Sequence, residues 1–98
     1  MEGKKRDLIS IVVPCYNEQE ALPHFYREAD DVSKKMQETD FEFLFVDDGS
    51  NDGTLSVLRE LAGRDSRVRY VSFSRNFGKE SAMYAGLSHA AGDYVAIL

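Results

Sequence analysis

The sequence predicts an α/β domain built on a parallel sheet of about four strands, with helices on both faces. Three observations lead to it. Apolar, β-branched runs alternate with stretches whose apolar residues recur every three or four positions, and this β-α-β-α-β-α-β order implies parallel strands joined by right-handed crossovers. The strand runs are near-continuously apolar rather than alternating, as in strands covered on both sides. The polar clusters fall in the strand-to-helix turns, which such a sheet gathers on one rim, where ligands bind.

The first strand is read over residues 8–14, from Leu8, Ile9, Ile11, Val12 and Val13. A turn through Cys15, Tyr16, Asn17 and Glu18 leads into a helix in which Leu22, Phe25, Ala29, Val32 and Met36 recur at helical spacing, with Pro23 suited to its first turn. The second strand, residues 41–46, runs straight into Asp47 and Asp48. Leu55, Leu58, Leu61 and Ala62 mark a short helix, and Gly63 is placed to stop it. Residues 68–73 read as the third strand. After the polar stretch 74–79, a third helix carries Ala82, Met83, Gly86, Leu87 and Ala90 on one side, and Gly92 ends it. A fourth strand begins at about Tyr94. The turns at 15–18, 47–54 and 74–79 therefore share one edge of the sheet.

A chain of 98 residues makes one domain, large enough to bury roughly 60–70% of its unfolded surface. A net charge of −5 argues against a nucleic-acid partner. The run Lys4-Lys5-Arg6 reads as a solvated tail, too short for a polybasic membrane anchor. The single Cys15 excludes an intrachain disulfide and fits a reducing compartment. No stretch approaches the ~18–20 apolar residues of a membrane span, and the first residues lack the apolar core of a signal peptide, so a cytoplasmic location is expected. Residues 94–98 read as a buried strand at which the chain stops, so the expectation is a piece of a longer protein.

The feature that carries most chemistry is Phe43-Leu44-Phe45-Val46-Asp47-Asp48-Gly49-Ser50, a buried strand ending in two adjacent carboxylates. The turn 48–53 starts like an EF-hand calcium loop, but its twelfth position is Arg59, where a bidentate Glu is required, and a strand precedes it. Ser50, Asn51 or Asp52 is expected to cap the second helix. The first turn lacks the Gly-x-Gly-x-x-Gly of a dinucleotide site, and Gly78-Lys79 is followed by Glu80, so no P-loop is present. Any nucleotide must be held by side chains. Tyr16 can stack on a base, and carboxylates from Glu18 and Asp48 can accept from a ring N–H. Read alone, Tyr16 covers the core edge and Glu18 is an acid favoured by a helix N-terminus. Cys15 reads as a packing residue, and His24 and His89 as surface or boundary residues. Lys79 begins the third helix, where a cation opposes the dipole. A bound pyrophosphate would compensate it; a solvated Lys paired with Glu80 or Glu18 is the alternative.

Three blocks, residues 11–18, 45–54 and 92–98, resemble family 2 glycosyltransferases of GT-A fold, in the family's order and spacing. The stretch Ser74-Arg75-Asn76-Phe77-Gly78-Lys79-Glu80-Ser81-Ala82 is similar to the branch that includes the bactoprenol glucosyltransferases and dolichol-phosphate mannose synthases. The resemblance implies a Rossmann-like GT-A nucleotide-binding half, with Pro14, Tyr16, Glu18 and Asp48 holding the nucleotide of a UDP- or GDP-sugar and Lys79 near its diphosphate. Asn17, Asp47 and Ser50 would support them. It implies transfer of the sugar to polyprenyl phosphate, or to a saccharide acceptor, at the cytoplasmic membrane face.

In that family the strand matching residues 94–98 leads into an Asp-x-Asp motif that holds Mg²⁺ or Mn²⁺. Here the chain ends just before it, so no metal ligand is assigned within residues 1–98. The expectation is a nucleotide-binding portion, inactive alone, whose uncovered apolar surface favours self-association. The competing reading is a non-catalytic nucleotide-binding α/β module. A phosphoacceptor receiver domain fits poorly, because its acidic pair should follow the first strand, where Pro14-Cys15-Tyr16 stands.

Overall fold

The computed structural model describes residues 6–98, so Lys4 and Lys5 of the basic run lie outside it. Four strands, β1 (Asp7–Cys15), β2 (Thr39–Asp47), β3 (Val68–Ser72) and β4 (Tyr94–Ile97), alternate with helices α1 (Leu22–Lys35), α2 (Thr54–Arg64) and α3 (Lys79–His89). The sheet is parallel throughout, in the order β3-β2-β1-β4. The crossovers through α1 and α2 step one way along the sheet, and the crossover through α3 steps back over β2 and β1. Right-handedness therefore puts α3 on the face opposite α1 and α2.

The two faces of β2 show why its sequence is apolar at nearly every position. Phe43 and Phe45, 1% and 0% exposed, turn towards α1, where Tyr26 and Phe25 meet them edge to face at 6.4 and 6.2 Å. Each buried Phe contributes about 1.5–3 kcal/mol relative to an exposed one. Leu44 and Val46, equally buried, point to the α3 side. There α3 presents Ala82 and Gly86. A Cβ on Gly86 would lie 2.3 Å from Val12 Cγ1, so the helix backbone rests directly on β1.

Four expectations of the sequence are corrected. The strand at 94–98, read as buried, is largely exposed at Tyr94, Val95, Ile97 and Leu98, because β4 is an edge strand paired with β1. Val32 and Met36 are exposed, and Ser33 is buried instead. The reason is Arg67. Its guanidinium lies 5.1 Å above the Phe43 ring, pairs with Asp30 and Asp65 at 2.6 and 2.7 Å, and donates to Ser33 Oγ, so the last turns of α1 pack on a polar group. Gly63 does not stop α2, which continues to Arg64. The helix ends at Asp65, whose N–H donates to the Leu61 carbonyl while its carboxylate receives Arg67 and the Tyr26 hydroxyl. Leu87, placed with the apolar side of α3, is exposed, because small residues rather than large ones make that contact.

A second polar network fixes the turn between α3 and β4. Glu42, buried within the sheet, accepts from Ser10 Oγ, from the Ala91 N–H at 2.7 Å and from Arg69 at 2.7 Å, and the Gly92 N–H donates to Ser10 Oγ. Burial pushes the Glu42 carboxyl up, but these donors outweigh it and the net shift is downward.

Two glycine substitutions should act with opposite signs in urea denaturation. Gly86→Ala gains about 1 kcal/mol of helix propensity but overpacks against Val12 at a cost of about 1–3 kcal/mol, and so lowers the midpoint. Gly63→Ala, with nothing within 4 Å of the new methyl, raises stability by about 0.5–1 kcal/mol. The Arg67 hydrogen bond holds the Asp65 carboxyl well below its usual range. Its folded value is depressed, so its contribution is complete above the unfolded carboxylate value of about 4 and is lost as pH falls below that. Asp65→Asn should therefore lower stability at neutral pH and flatten the loss of stability between about pH 4 and 2, as read from urea midpoints.

Candidate functional site

All three strand-to-helix turns lie on the carboxyl edge of the sheet, as the sequence order requires. The first two are joined by reciprocal bonds. The Asn17 N–H donates to Ser50 Oγ at 2.9 Å, and the Asn51 N–H returns to Asn17 Oδ1 at 2.8 Å. The Glu18 N–H donates to Thr54 Oγ1, the Gln19 N–H to Asp52, and the Gly53 N–H to Gln19 Oε1. Asn17 adopts a left-handed φ of 54°, a conformation asparagine tolerates better than most residues. Asn17 and Ser50, expected as supporting residues, tie the first two turns together, as do Gln19 and Thr54, which carry no sequence signal for it. Asp52 supplies the expected capping carboxylate, accepting the Thr54 N–H one residue before the N-cap, Gly53.

The two carboxylates at the end of β2 are both buried, Asp47 at 2% exposure and Asp48 at 4%. They face different neighbours. Asp47 Oδ1 accepts the Ser50 N–H and Oδ2 the Ser72 hydroxyl, so Asp47 braces its own turn and ties it to β3. Asp48 turns to the third loop. The Phe77 N–H donates to its Oδ1 at 2.7 Å, the Gly78 N–H to its Oδ2 at 3.1 Å, and Asn76 Nδ2 to the same oxygen at 3.2 Å. Both oxygens of the residue expected to accept from a nucleotide base are thus engaged by the protein. Asn76 was not singled out in the sequence; its only signal is an Asn two residues before a Gly, a common turn pattern.

A cleft of about 200 Å³ opens on this rim, lined by Pro14, Cys15, Tyr16, Glu18, Asp48 and Lys79. It brings together all five residues expected to hold the nucleotide. Beside it, a cavity of about 320 Å³ shares Pro14, Cys15, Glu18 and Lys79 and reaches Leu22, Phe25 and Leu98. On the far side of Tyr16, a polar cavity of about 450 Å³ lies between the turn at 49–52 and the loop at 72–76, with Arg59 and Arg75 in its wall. Tyr16 is 44% exposed and lines both openings.

The chemistry of the cleft is polarised. Glu18 projects an exposed carboxylate, and Lys79 an exposed ammonium that has no salt-bridge partner among the described residues. The pairing of Lys79 with Glu80 or Glu18, one of the two readings of the sequence, is not formed. Cys15 is buried beneath them, and its thiol is pushed up to about 12 by burial and by the charges of Glu18 and Asp47, so it is a packing residue and no nucleophile. Among the described residues no three His, Cys, Asp or Glu side chains are placed to hold a metal ion. Asp47 and Asp48 do not fit that role, since their oxygens already accept N–H and O–H donors. Nor is any described helix long and apolar enough to cross a membrane.

Comparison with known proteins identifies the family and the fold type. A bactoprenol glucosyl transferase of Shigella phage SfV is 47% identical over 87 residues, which are 89% of this chain and 28% of that protein. An undecaprenyl-phosphate 4-deoxy-4-formamido-L-arabinose transferase of Sodalis glossinidius is 42% identical over 95 residues, 96% of this chain and 29% of that protein. The chain thus spans less than a third of the length of these relatives. Among solved structures, a mannosyltransferase from Pyrobaculum calidifontis in complex with GDP-Man and Mn²⁺ superposes with a TM-score of 0.68 at 28% identity, over 93% of this chain and 26% of that one. The sheet and its helices are therefore an α/β arrangement of the GT-A type. The model of the family described as Glycosyl transferase family 2 matches residues 10–98, from within β1 through the whole cleft-bearing rim, and the chain belongs to that family.

Proposed function

We propose that this chain is the donor-binding part of a glycosyltransferase that moves a sugar from a nucleoside diphosphate to polyprenyl phosphate at the cytoplasmic face of a membrane. The observation that carries the proposal is one cleft holding an exposed aromatic ring, an exposed carboxylate and an exposed ammonium, Tyr16, Glu18 and Lys79. Those groups match the base, the N–H or hydroxyl donors, and the diphosphate of a nucleotide-sugar. The names of the bactoprenol and undecaprenyl-phosphate relatives support the acceptor class, and the GDP-Man complex supports the donor class.

In this reading Tyr16 stacks on the base, a contact worth about 1–3 kcal/mol. Glu18 accepts from the base edge or a ribose hydroxyl. Lys79 neutralises charge on the diphosphate. Transfer is a direct displacement: an acceptor phosphate oxygen bonds to the anomeric carbon as the bond from that carbon to the donor's diphosphate oxygen breaks. The acceptor is already anionic, so it needs little help from a general base. A divalent metal, present in the Pyrobaculum complex, would stabilise the leaving diphosphate, and its ligands are proposed to follow Leu98.

Titration of residues 1–98 with UDP, GDP, UDP-glucose and GDP-mannose tests this reading. Binding is expected to be weak, and Lys79→Ala should weaken the diphosphates about tenfold while leaving the nucleosides unchanged. Tyr16→Ala should weaken nucleosides and nucleotides alike by about tenfold. No transfer to undecaprenyl phosphate is expected from this chain alone. Turnover by it, or nucleotide affinity indifferent to both substitutions, contradicts the proposal.

A further inference from the structure

The polar cavity of about 450 Å³ between the turn at 49–52 and the loop at 72–76 is not needed by the donor cleft. Its wall holds two acids and two cations, and the two signs are placed differently. The acids have donors within the protein. Asp47 accepts from the Ser50 N–H and the Ser72 hydroxyl, and Asp52 from the N–H groups of Thr54 and Gln19. The cations do not have acceptors. Arg59, from α2, and Arg75, from the third loop, make no salt bridge among the described residues. Partners are not scarce, since the chain carries 17 Asp and Glu against 12 Lys and Arg.

Arg75 is also held in place. Its guanidinium lies 5.2 Å from the centroid of the Phe77 ring, and Phe77 packs edge to face on Phe73 at 5.6 Å. Stacking engages the flat face of a guanidinium and leaves its N–H edge available to an acceptor. Ser56 and Ser74 add hydroxyl donors to the same wall, again one from α2 and one from the third loop. Two forked cations and two hydroxyls suit a tetrahedral anion, which presents oxygens on every side. A planar carboxylate, with two oxygens, would leave most of these donors unused.

We propose that this cavity is a second anion site, separate from the donor cleft, in which Arg59 and Arg75 clamp a phosphate group. Neither arginine lines the donor cleft, so the site stands or falls independently of the donor reading. The phosphate belongs either to a soluble ion or ester or to the head group of an anionic lipid, and the recognition chemistry is the same for both.

The Nε–Hε resonances of Arg59 and Arg75 in residues 1–98 read the site directly during titration with inorganic phosphate, with sodium chloride at matched ionic strength as the control. Phosphate is expected to shift both resonances along one saturating curve, and chloride is not. This reading uses the unsubstituted chain, so a variant that fails to fold does not decide it. Arg59→Ala and Arg75→Ala should each weaken phosphate about tenfold, and Arg59→Lys should recover only part of the loss. Lys79→Ala should leave phosphate affinity within about twofold, and Arg59→Ala should do the same for UDP, as expected of independent sites. Sedimentation with vesicles of phosphatidylglycerol or of phosphatidylcholine separates the two sources. Retention by phosphatidylglycerol alone, abolished when Arg59→Ala and Arg75→Ala are combined, identifies a lipid head group; saturable phosphate binding without retention identifies a soluble phosphate. Shifts no larger in phosphate than in chloride, with vesicle retention absent or indifferent to the combined substitution, overturn the proposal. So does phosphate affinity that is lost in Lys79→Ala and intact in Arg59→Ala, which places the anion in the donor cleft.

Discussion

A carboxylate buried at the end of a central strand must find donors, because an unpaired charge out of water costs several kcal/mol. The rim of this protein is organised by that requirement. Asp47 and Asp48 leave β2 side by side and meet it in opposite directions, Asp47 towards Ser50 and Ser72 in the second loop and β3, Asp48 towards residues 76–78 in the third. Two neighbouring residues point to opposite faces of a strand, so adjacent acids can serve two loops at once.

The same periodicity joins Asp48 to a more distant acid. Glu42, Leu44, Val46 and Asp48 share one face of β2, the face that α3 covers. Leu44 and Val46 supply the apolar middle, where α3 offers only small residues, Ala82 and Gly86. The two acids hold the ends. Asp48 accepts from the amides that precede the helix, and Glu42 accepts the Ala91 N–H just after it. A helix whose own sequence has little amphipathic character is thus anchored at both termini by carboxylates of one strand. Its position along the sheet is set by hydrogen bonds of fixed geometry, where apolar contact alone would permit sliding.

The fold was legible because its signals are local. Near-continuous apolar strands, helical spacing and turn residues gave the element order, and the order implied the parallel sheet and its single binding rim. The misplaced residues, Val32, Met36, Gly63 and Leu87, share a cause that spacing cannot reveal. Arg67 replaces apolar packing under the end of α1, the Asp65–Arg67 pair sets the end of α2, and the close approach of Gly86 to Val12 replaces large side chains under α3. Each depends on a partner about 20 or more residues away, except the Asp65–Arg67 pair, which only a structure distinguishes from any other local charge pair. The site divides in the same way. Pro14, Tyr16, Glu18, Asp48 and Lys79 were legible as rim residues and line one cleft. The partners that hold Asp48 within the protein were not, because two of them are backbone N–H groups, which every residue but proline possesses and no sequence advertises.

Charge arithmetic shows why the placement of one ammonium matters here. The chain carries a formal charge of −5, and the first loop and the end of β2 add Glu18, Asp47 and Asp48 to the surroundings of the cleft, a negative field that helps to raise the Cys15 thiol. Among the described residues lining the cleft, Lys79 is the only cation. A unit charge pair about 4 Å apart at an effective dielectric of about 20 interacts by about 4 kcal/mol, and by half that at twice the distance. A flexible loop could move a lysine over that range, and with several acids nearby the balance for an anionic ligand would then reverse. The hydrogen bonds from residues 76–78 to Asp48 act on this balance in two ways. They satisfy one of the acids internally, and they hold the backbone from which the one favourable charge extends.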